Sequence, residues 1–264
     1  MLLRFTALHA VLFTACALSI SIVASALPAY AQDKGAAEQK PAMSTEQRGA
    51  IEEVVRDYLL TNPEIIVEAI RIFREREQQA QTARAQQALT AHKDTLIHAK
   101  GAPEAGNPKG DVTVVEFFDY QCGYCKRVLP LLGQLLEEDK NLRWVFKEFP
   151  ILGPDSMTAS QAALAAWNLD QSKYLDFHAA LMAASGALPE DRILKIAQSV
   201  GYDAAKLREA MKSEAVTGEI ARNHQLAETL NIRGTPAFIV GDELVPGAVD
   251  LDTLRQLIQK ARKG

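Results

Sequence analysis

The sequence predicts an α/β fold in which a block of helices interrupts a sheet, with a further helical segment in front. Three features predict it. Val112-Thr113-Val114-Val115-Glu116-Phe117-Phe118 is a near-continuous β-favouring run, the pattern of a strand buried on both faces. An apolar-periodic helix from about Cys122 to Glu138 and a second β-run, Leu142 to Lys147, follow it. After a long helical stretch, Ala237–Val240, the turn Gly241-Asp242 and Glu243–Val245 read as a hairpin. The order is β-α-β, a helical block, then β-β-α, with no internal repeat. Of 264 residues, 48% are hydrophobic and 23% charged, which fits a globular chain. A net charge of -4 excludes the usual electrostatic nucleic-acid binder.

From the N-terminus, Arg4 is the only charge in residues 1–31; an apolar stretch from Phe5 to about Leu27 and the Ala-x-Ala pattern Ala29-Tyr30-Ala31 follow. This reads as a secretory signal peptide cleaved after Ala31. An uncleaved anchor and acylation of Cys16 are weaker alternatives, because a cleavage pattern precedes polar Gln32-Asp33-Lys34 and the apolar run before Cys16 is short. Residues 32–43 are small and polar, a disordered leader. Cleavage leaves Cys122 and Cys125 as the only cysteines.

Residues 44–93 read as a helical stalk and linker. Ser44 and Gln47 form a capping-box pattern, and Ile51, Val54, Val55, Tyr58 and Leu59 recur at helical spacing. Asn62 as N-cap and Pro63 at the first position then open a second helix with Ile65, Ile66, Ala69, Ile70, Ile72 and Phe73 apolar. Beyond Phe73 the chain is almost wholly polar; such a helix either bridges solvent or is unstable. The two apolar faces need a cover, from the main domain or from another copy of themselves, and distance from the core favours the copy.

Residues 94–264 read as the main domain, with a helical insertion at about 155–230. Asp94–Ala99 reads as a short strand and Gly101–Gly110 as a turn-rich connector. Pro130 is expected to kink the helix after Cys122. Within the insertion, Ala162, Ala163, Ala166 and Trp167 mark one helix, and Leu175, His178, Leu181 and Met182 another. Pro189-Glu190-Asp191 starts a third and Gly201 ends it, Asp203 caps a fourth, and Glu214–Thr229 is a fifth. Leu251, Leu254, Leu257, Ile258 and Ala261 mark the last helix.

The strongest chemical signal is Cys122-Gly123-Tyr124-Cys125, at the junction of a buried strand and a helix. Free N–H groups there favour a thiolate at Cys122, the species that attacks a disulfide, and Cys125 lies one turn on, positioned to resolve the mixed disulfide. Two cysteines this close staple no fold, so in an exported chain they read as a redox pair. A zinc site lacks a second ligand pair. Thr235-Pro236 is the second signal. A cis bond there would hold Thr235 beside the sulfurs and turn its main chain toward an extended substrate. His92, His98, His178 and His224 read as structural, and Ser156 and Ser160 lack a hydrolase context.

These motifs, Val115 to Lys126 with Gly234-Thr235-Pro236-Ala237-Phe238, resemble the thioredoxin superfamily and within it the DsbA-like periplasmic thiol–disulfide oxidoreductases. The resemblance covers about residues 94–262. It implies a thioredoxin fold with an inserted helical domain, preceded by an N-terminal helical oligomerisation stalk. It implies catalytic Cys122 and Cys125, a proton relay at Glu116, and substrate contacts from Thr235, Pro236, Gly123 and Tyr124. The redox-active disulfide Cys122–Cys125 replaces any cofactor. Asp57 to Glu64 is similar to the oligomerisation segment of ScsC (suppressor of copper sensitivity) proteins, which implies a homo-oligomer, a trimer before a dimer. Gly-Tyr between the cysteines and Thr before the proline depart from the oxidases, which carry Pro-His and Val, and resemble the DsbC-type isomerases.

The expected function is disulfide isomerisation and reduction of misoxidised secreted proteins in the periplasm, recharged by a membrane thiol–disulfide reductase. Net oxidation by the same residues is the nearest alternative. Binding of Cu(I) at Cys122 and Cys125 is the alternative from another class, since thiolates suit that soft ion.

Overall fold

In the computed structural model, residues 43–97 and 101–263 are described; the expected signal peptide, Cys16, the leader up to residue 42 and His98 lie outside them. The chain divides between Asn62 and Pro63 into two units.

The first unit contains α1 (Thr45–Thr61). The expected capping box forms: Ser44 Oγ accepts from the Gln47 N–H at 3.1 Å, and the Gln47 side chain accepts from the Ser44 N–H at 3.0 Å. Asn62, expected to open the next helix, instead closes this one, with its N–H and its side-chain amide both donating to the Tyr58 carbonyl at 2.9 Å. No residue of α1 is buried; Ile51, Val54, Val55, Tyr58 and Leu60 are exposed.

The second unit opens with α2 (Glu64–Ile97), one continuous helix. The polar stretch beyond Phe73 is helical, as the reading of a helical stalk has it. The strand expected at residues 94–99 is not there: the chain is helix as far as Ile97. Leu89 and Leu96, seven residues apart on one helical face, are buried and dock on the sheet, and that contact extends the helix.

The sheet comprises β1 (Glu104–Gly106), β2 (Val112–Phe118), β3 (Leu142–Glu148), β4 (Ala237–Val240) and β5 (Glu243–Pro246), in the order β1-β3-β2-β4-β5. Only the β2–β3 pair is parallel. β1 lies within the expected connector. Its close approach to β3 rests on Gly106, at φ +79, where a Cβ would stand 2.4 Å from the Leu142 carbonyl oxygen.

After β2 come α3 (Gly123–Lys126) and α4 (Leu129–Glu138). The expected single kinked helix is two helices, because Pro130 begins a new one. The insertion contains α5 (Pro154–Leu169), a 3₁₀ turn (Gln171–Lys173), α6 (Tyr174–Ala183), α7 (Glu190–Ser199), α8 (Ala204–Ala210) and α9 (Glu214–Thr229), and α10 (Leu251–Lys263) ends the chain. This is the thioredoxin-type arrangement with inserted helices that the resemblance implies.

Alternation along the strands builds two cores. Val112, Val114 and Phe118 of β2, with Trp144, Phe146 and Phe238, face α4, α10 and the insertion. Val115, Phe117, Val145 and Ile239 face Leu89 and Leu96 of α2, Leu226 of α9 and Leu230 at its C-cap. Each large apolar side chain so buried contributes about 1.5–3 kcal/mol. Among the described residues, no helix is long and apolar enough to cross a membrane.

A candidate dithiol site at the end of the central strand

β2 delivers the chain to one end of the sheet, where Cys122 is the N-cap of α3 in an extended conformation, φ -76 and ψ 112. Its N–H donates to the Asp119 carbonyl at 3.0 Å, and its own carbonyl accepts from Lys126 N–H at 3.1 Å. Both cysteines are free thiols. Cys122 keeps 6% of its surface accessible against 1% for Cys125, so an incoming disulfide meets Cys122 first. Burial pushes the Cys125 thiol well up from its ordinary value, and the negative charges of Glu116 and Cys122 add to that. Cys125 therefore stays protonated until something removes its proton.

Glu116 is the buried acid expected from the sequence, not a solvated strand-end residue. It sits in mid-strand opposite Phe146 and Phe238. Burial pushes its carboxyl up to about 8, against a hydrogen bond from Trp144 Nε1 at 3.0 Å that favours the charged form. A group that titrates there can exchange a proton near neutral pH, the property a relay needs.

On the other side of the sulfur, the Thr235–Pro236 peptide is cis. Cys122 Sγ–H donates to the Thr235 carbonyl at 3.2 Å. Pro236 is buried and Thr235 half-buried, and the Thr235 N–H has no acceptor among the described residues. Gly123 is exposed beside the sulfurs, and Tyr124 is 58% exposed, with the Arg127 guanidinium 4.3 Å above its ring. All seven residues singled out from the sequence thus lie on β2, on α3 with its cap, or on the loop before β4, its neighbour in the sheet.

Asp119 was not anticipated. Its carboxylate accepts four hydrogen bonds: from Gln121 N–H at 2.7 Å, Ile151 N–H at 2.8 Å, Leu152 N–H at 3.0 Å and Ser156 Oγ at 2.7 Å. It ties the cysteine loop to the segment after β3 and leaves Ile151 and Leu152 exposed. Its position three residues before Cys122, between Phe118 and Tyr120, was the available signal. Glu148 is a second buried acid, held well above the carboxylate range by burial, and accepts from Ser160 Oγ at 2.7 Å. Buried His178 packs as a structural histidine, its Nδ1 3.0 Å from the Tyr120 hydroxyl, and burial holds its pKa down at about 3. Among the described residues, no group of three or more His, Cys, Asp and Glu side chains could hold a metal.

Comparison with known proteins agrees with this geometry. Residues 113–259 match the model of the DSBA-like thioredoxin domain, and residues 47–80 match that of the copper resistance protein ScsC N-terminal domain. A thioredoxin-like oxidoreductase from Silicibacter pomeroyi is 47% identical, at TM-score 0.62, over 65% of this chain and 98% of that one. The ScsC of Proteus mirabilis in a transitional conformation is 31% identical, at TM-score 0.62, over 84% of this chain and 98% of that one. Among curated relatives, a Na(+)/H(+) antiporter NhaA 1 from Salinispora arenicola is 30% identical over 169 residues, 63% of this chain; the chain spans 25% of that protein's length.

Proposed function

The chain belongs to the DSBA-like thioredoxin-domain family, and from that premise we propose that it is a thiol–disulfide oxidoreductase of the periplasm, working chiefly as a disulfide isomerase and reductase on misoxidised secreted proteins. The observation that carries the reading is the asymmetry of the pair: Cys122 caps a helix against the Thr235 carbonyl, and Cys125 is sealed and held as a thiol.

The chemistry follows from it. The Cys122 thiolate attacks a substrate disulfide; a Cys122–substrate disulfide forms, the substrate S–S bond breaks, and the departing sulfur leaves as a thiolate. That thiolate can attack another disulfide of the same substrate, and a third exchange frees Cys122, so isomerisation consumes no electrons. In the reductive branch Glu116 in its ionised form takes the proton of Cys125, and the Cys125 thiolate attacks Cys122. The Cys122–Cys125 disulfide forms, the substrate leaves as a thiol, and two electrons have passed to it. A membrane thiol–disulfide reductase returns the two electrons. Thr235 and Pro236 hold the substrate strand, and Gly123 and Tyr124 form the rim around the sulfur.

Exposed Ile51, Val54, Val55 and Tyr58 of α1 support a homo-oligomer, a trimer by the ScsC resemblance, in which several dithiols engage one substrate. Replacing Cys122 by Ser is expected to abolish recovery of activity from a scrambled disulfide protein, and Cys125→Ser to accumulate covalent complexes with it. Retained activity in Cys122→Ser would overturn the assignment. A second reading, capture of Cu(I) by the two thiols, is favoured by the family description of residues 47–80. Anaerobic Cu(I) titration beside the refolding assay separates the two.

A further inference from the structure

A groove of about 530 Å³ opens where the loop before β4 faces the middle of α2. Arg233, Gly234 and Thr235 form one wall. The opposite wall is one face of α2, where Gln78, Gln81, Thr82 and Gln86 recur at helical spacing. Leu230, Ile232 and Leu244 line its base. The helix is fastened to the turn between β4 and β5: Gln86 Nε2 donates to the Asp242 carbonyl at 3.0 Å, and Lys93 pairs with the Asp242 carboxylate at 2.6 Å.

We infer that this groove is the second half of the polypeptide site, with α2 as its outer wall, and that its occupant is the extended substrate chain flanking the attacked cysteine. The inference rests on the thiol–disulfide function proposed above and names which surface takes the substrate. Continuity is the first argument: the groove includes Thr235, whose carbonyl lies 3.2 Å from Cys122 Sγ and whose N–H lacks an acceptor among the described residues. Chemistry is the second. A side-chain amide both donates and accepts, so two exposed glutamines match the alternating N–H and C=O groups of any extended chain without reading its sequence. The apolar base takes one alternate side chain. A protein that acts on many misfolded chains needs that tolerance.

The test uses the full-length chain carrying Cys125→Ser and a twelve-residue peptide with one cysteine, supplied as its symmetrical disulfide. Attack by Cys122 forms the Cys122–peptide disulfide and releases one peptide thiol. A diazirine side chain at each peptide position in turn then reports the neighbouring surface by photo-crosslinking. Crosslinks to residues 78–86 from positions a few residues from the cysteine are expected. With Gln78→Ala and Gln81→Ala, half-saturation for the peptide is expected to weaken roughly tenfold, from two lost hydrogen bonds. A mixed disulfide that forms but crosslinks only away from α2, or unchanged half-saturation, overturns the groove alone. Failure to form any mixed disulfide overturns the thiol–disulfide reading and the groove with it.

Discussion

Strand β2 and helix α1 carry similar apolar side chains and treat them in opposite ways. Val114, Val115, Phe117 and Phe118 are fully buried, because both faces of β2 are covered by helices of the same chain. Ile51 and Val54 on α1 remain 50% and 68% exposed. The apolar pattern along a sequence says that a face needs covering; it does not say whether the cover is in the same chain. For β2 it is. On α1 those side chains are exposed, and the proposed cover is a second copy. Helix α2 contains both cases: Ile66, Val67, Ile70 and Phe73 are exposed near its start, and Leu89 and Leu96 are buried near its end.

Mutation can break or sharpen that contrast. The largest effect is expected at Phe118, where Phe118→Ala removes a fully buried ring and is expected to cost about 3–5 kcal/mol in urea unfolding. Leu96→Ala comes next, at about 2–5 kcal/mol, while Ile66→Ala on the same helix leaves the unfolding of the catalytic domain within about 0.5 kcal/mol. Equal effects at the two positions would contradict the division of α2.

A third prediction concerns the charge hidden in β2. Folded Glu116 keeps its proton to about 8, whereas the unfolded chain releases it near 4.5. Its contribution to stability is therefore full below pH 4.5 and is lost as pH rises from there through about 8. Between pH 4.5 and 7 the stability difference between wild type and Glu116→Gln is expected to move in the variant's favour by on the order of 3 kcal/mol. Chemical denaturation at the two pH values measures it, and a constant difference would mean that Glu116 ionises normally. The smallest effect is expected at Val54→Ala, within about 0.5 kcal/mol for unfolding of the catalytic domain.

The same contrast explains what the sequence made legible. The dithiol, Glu116 and Thr235-Pro236 were readable because they are local motifs: a spacing, an acid within an apolar run, a proline at a strand start. The insertion helices were readable from Pro189, Gly201 and Asp203, which begin, end and cap them. Strand β1 was not, because three residues of edge pairing come from the approach of Gly106 to Leu142 and not from β-propensity. The end of α2 was misread because Thr95-Leu96-Ile97 is β-favouring by itself; only the docking of Leu89 and Leu96 on the sheet makes it helix. Asp119 escaped notice because its four donors come from three other segments or turns, brought together only by the fold.

The central claim is that isomerisation needs both the dithiol and the self-association of α1. The most direct measurement is the rate at which a scrambled disulfide protein regains activity with the full-length chain and with its Ile51→Asp, Val55→Asp variant, each at a mass established by light scattering. The account predicts an oligomer with isomerase activity and a monomeric variant that still reduces a simple disulfide but recovers little scrambled protein. A monomeric full-length chain, or a monomeric variant with undiminished isomerase activity, would contradict it.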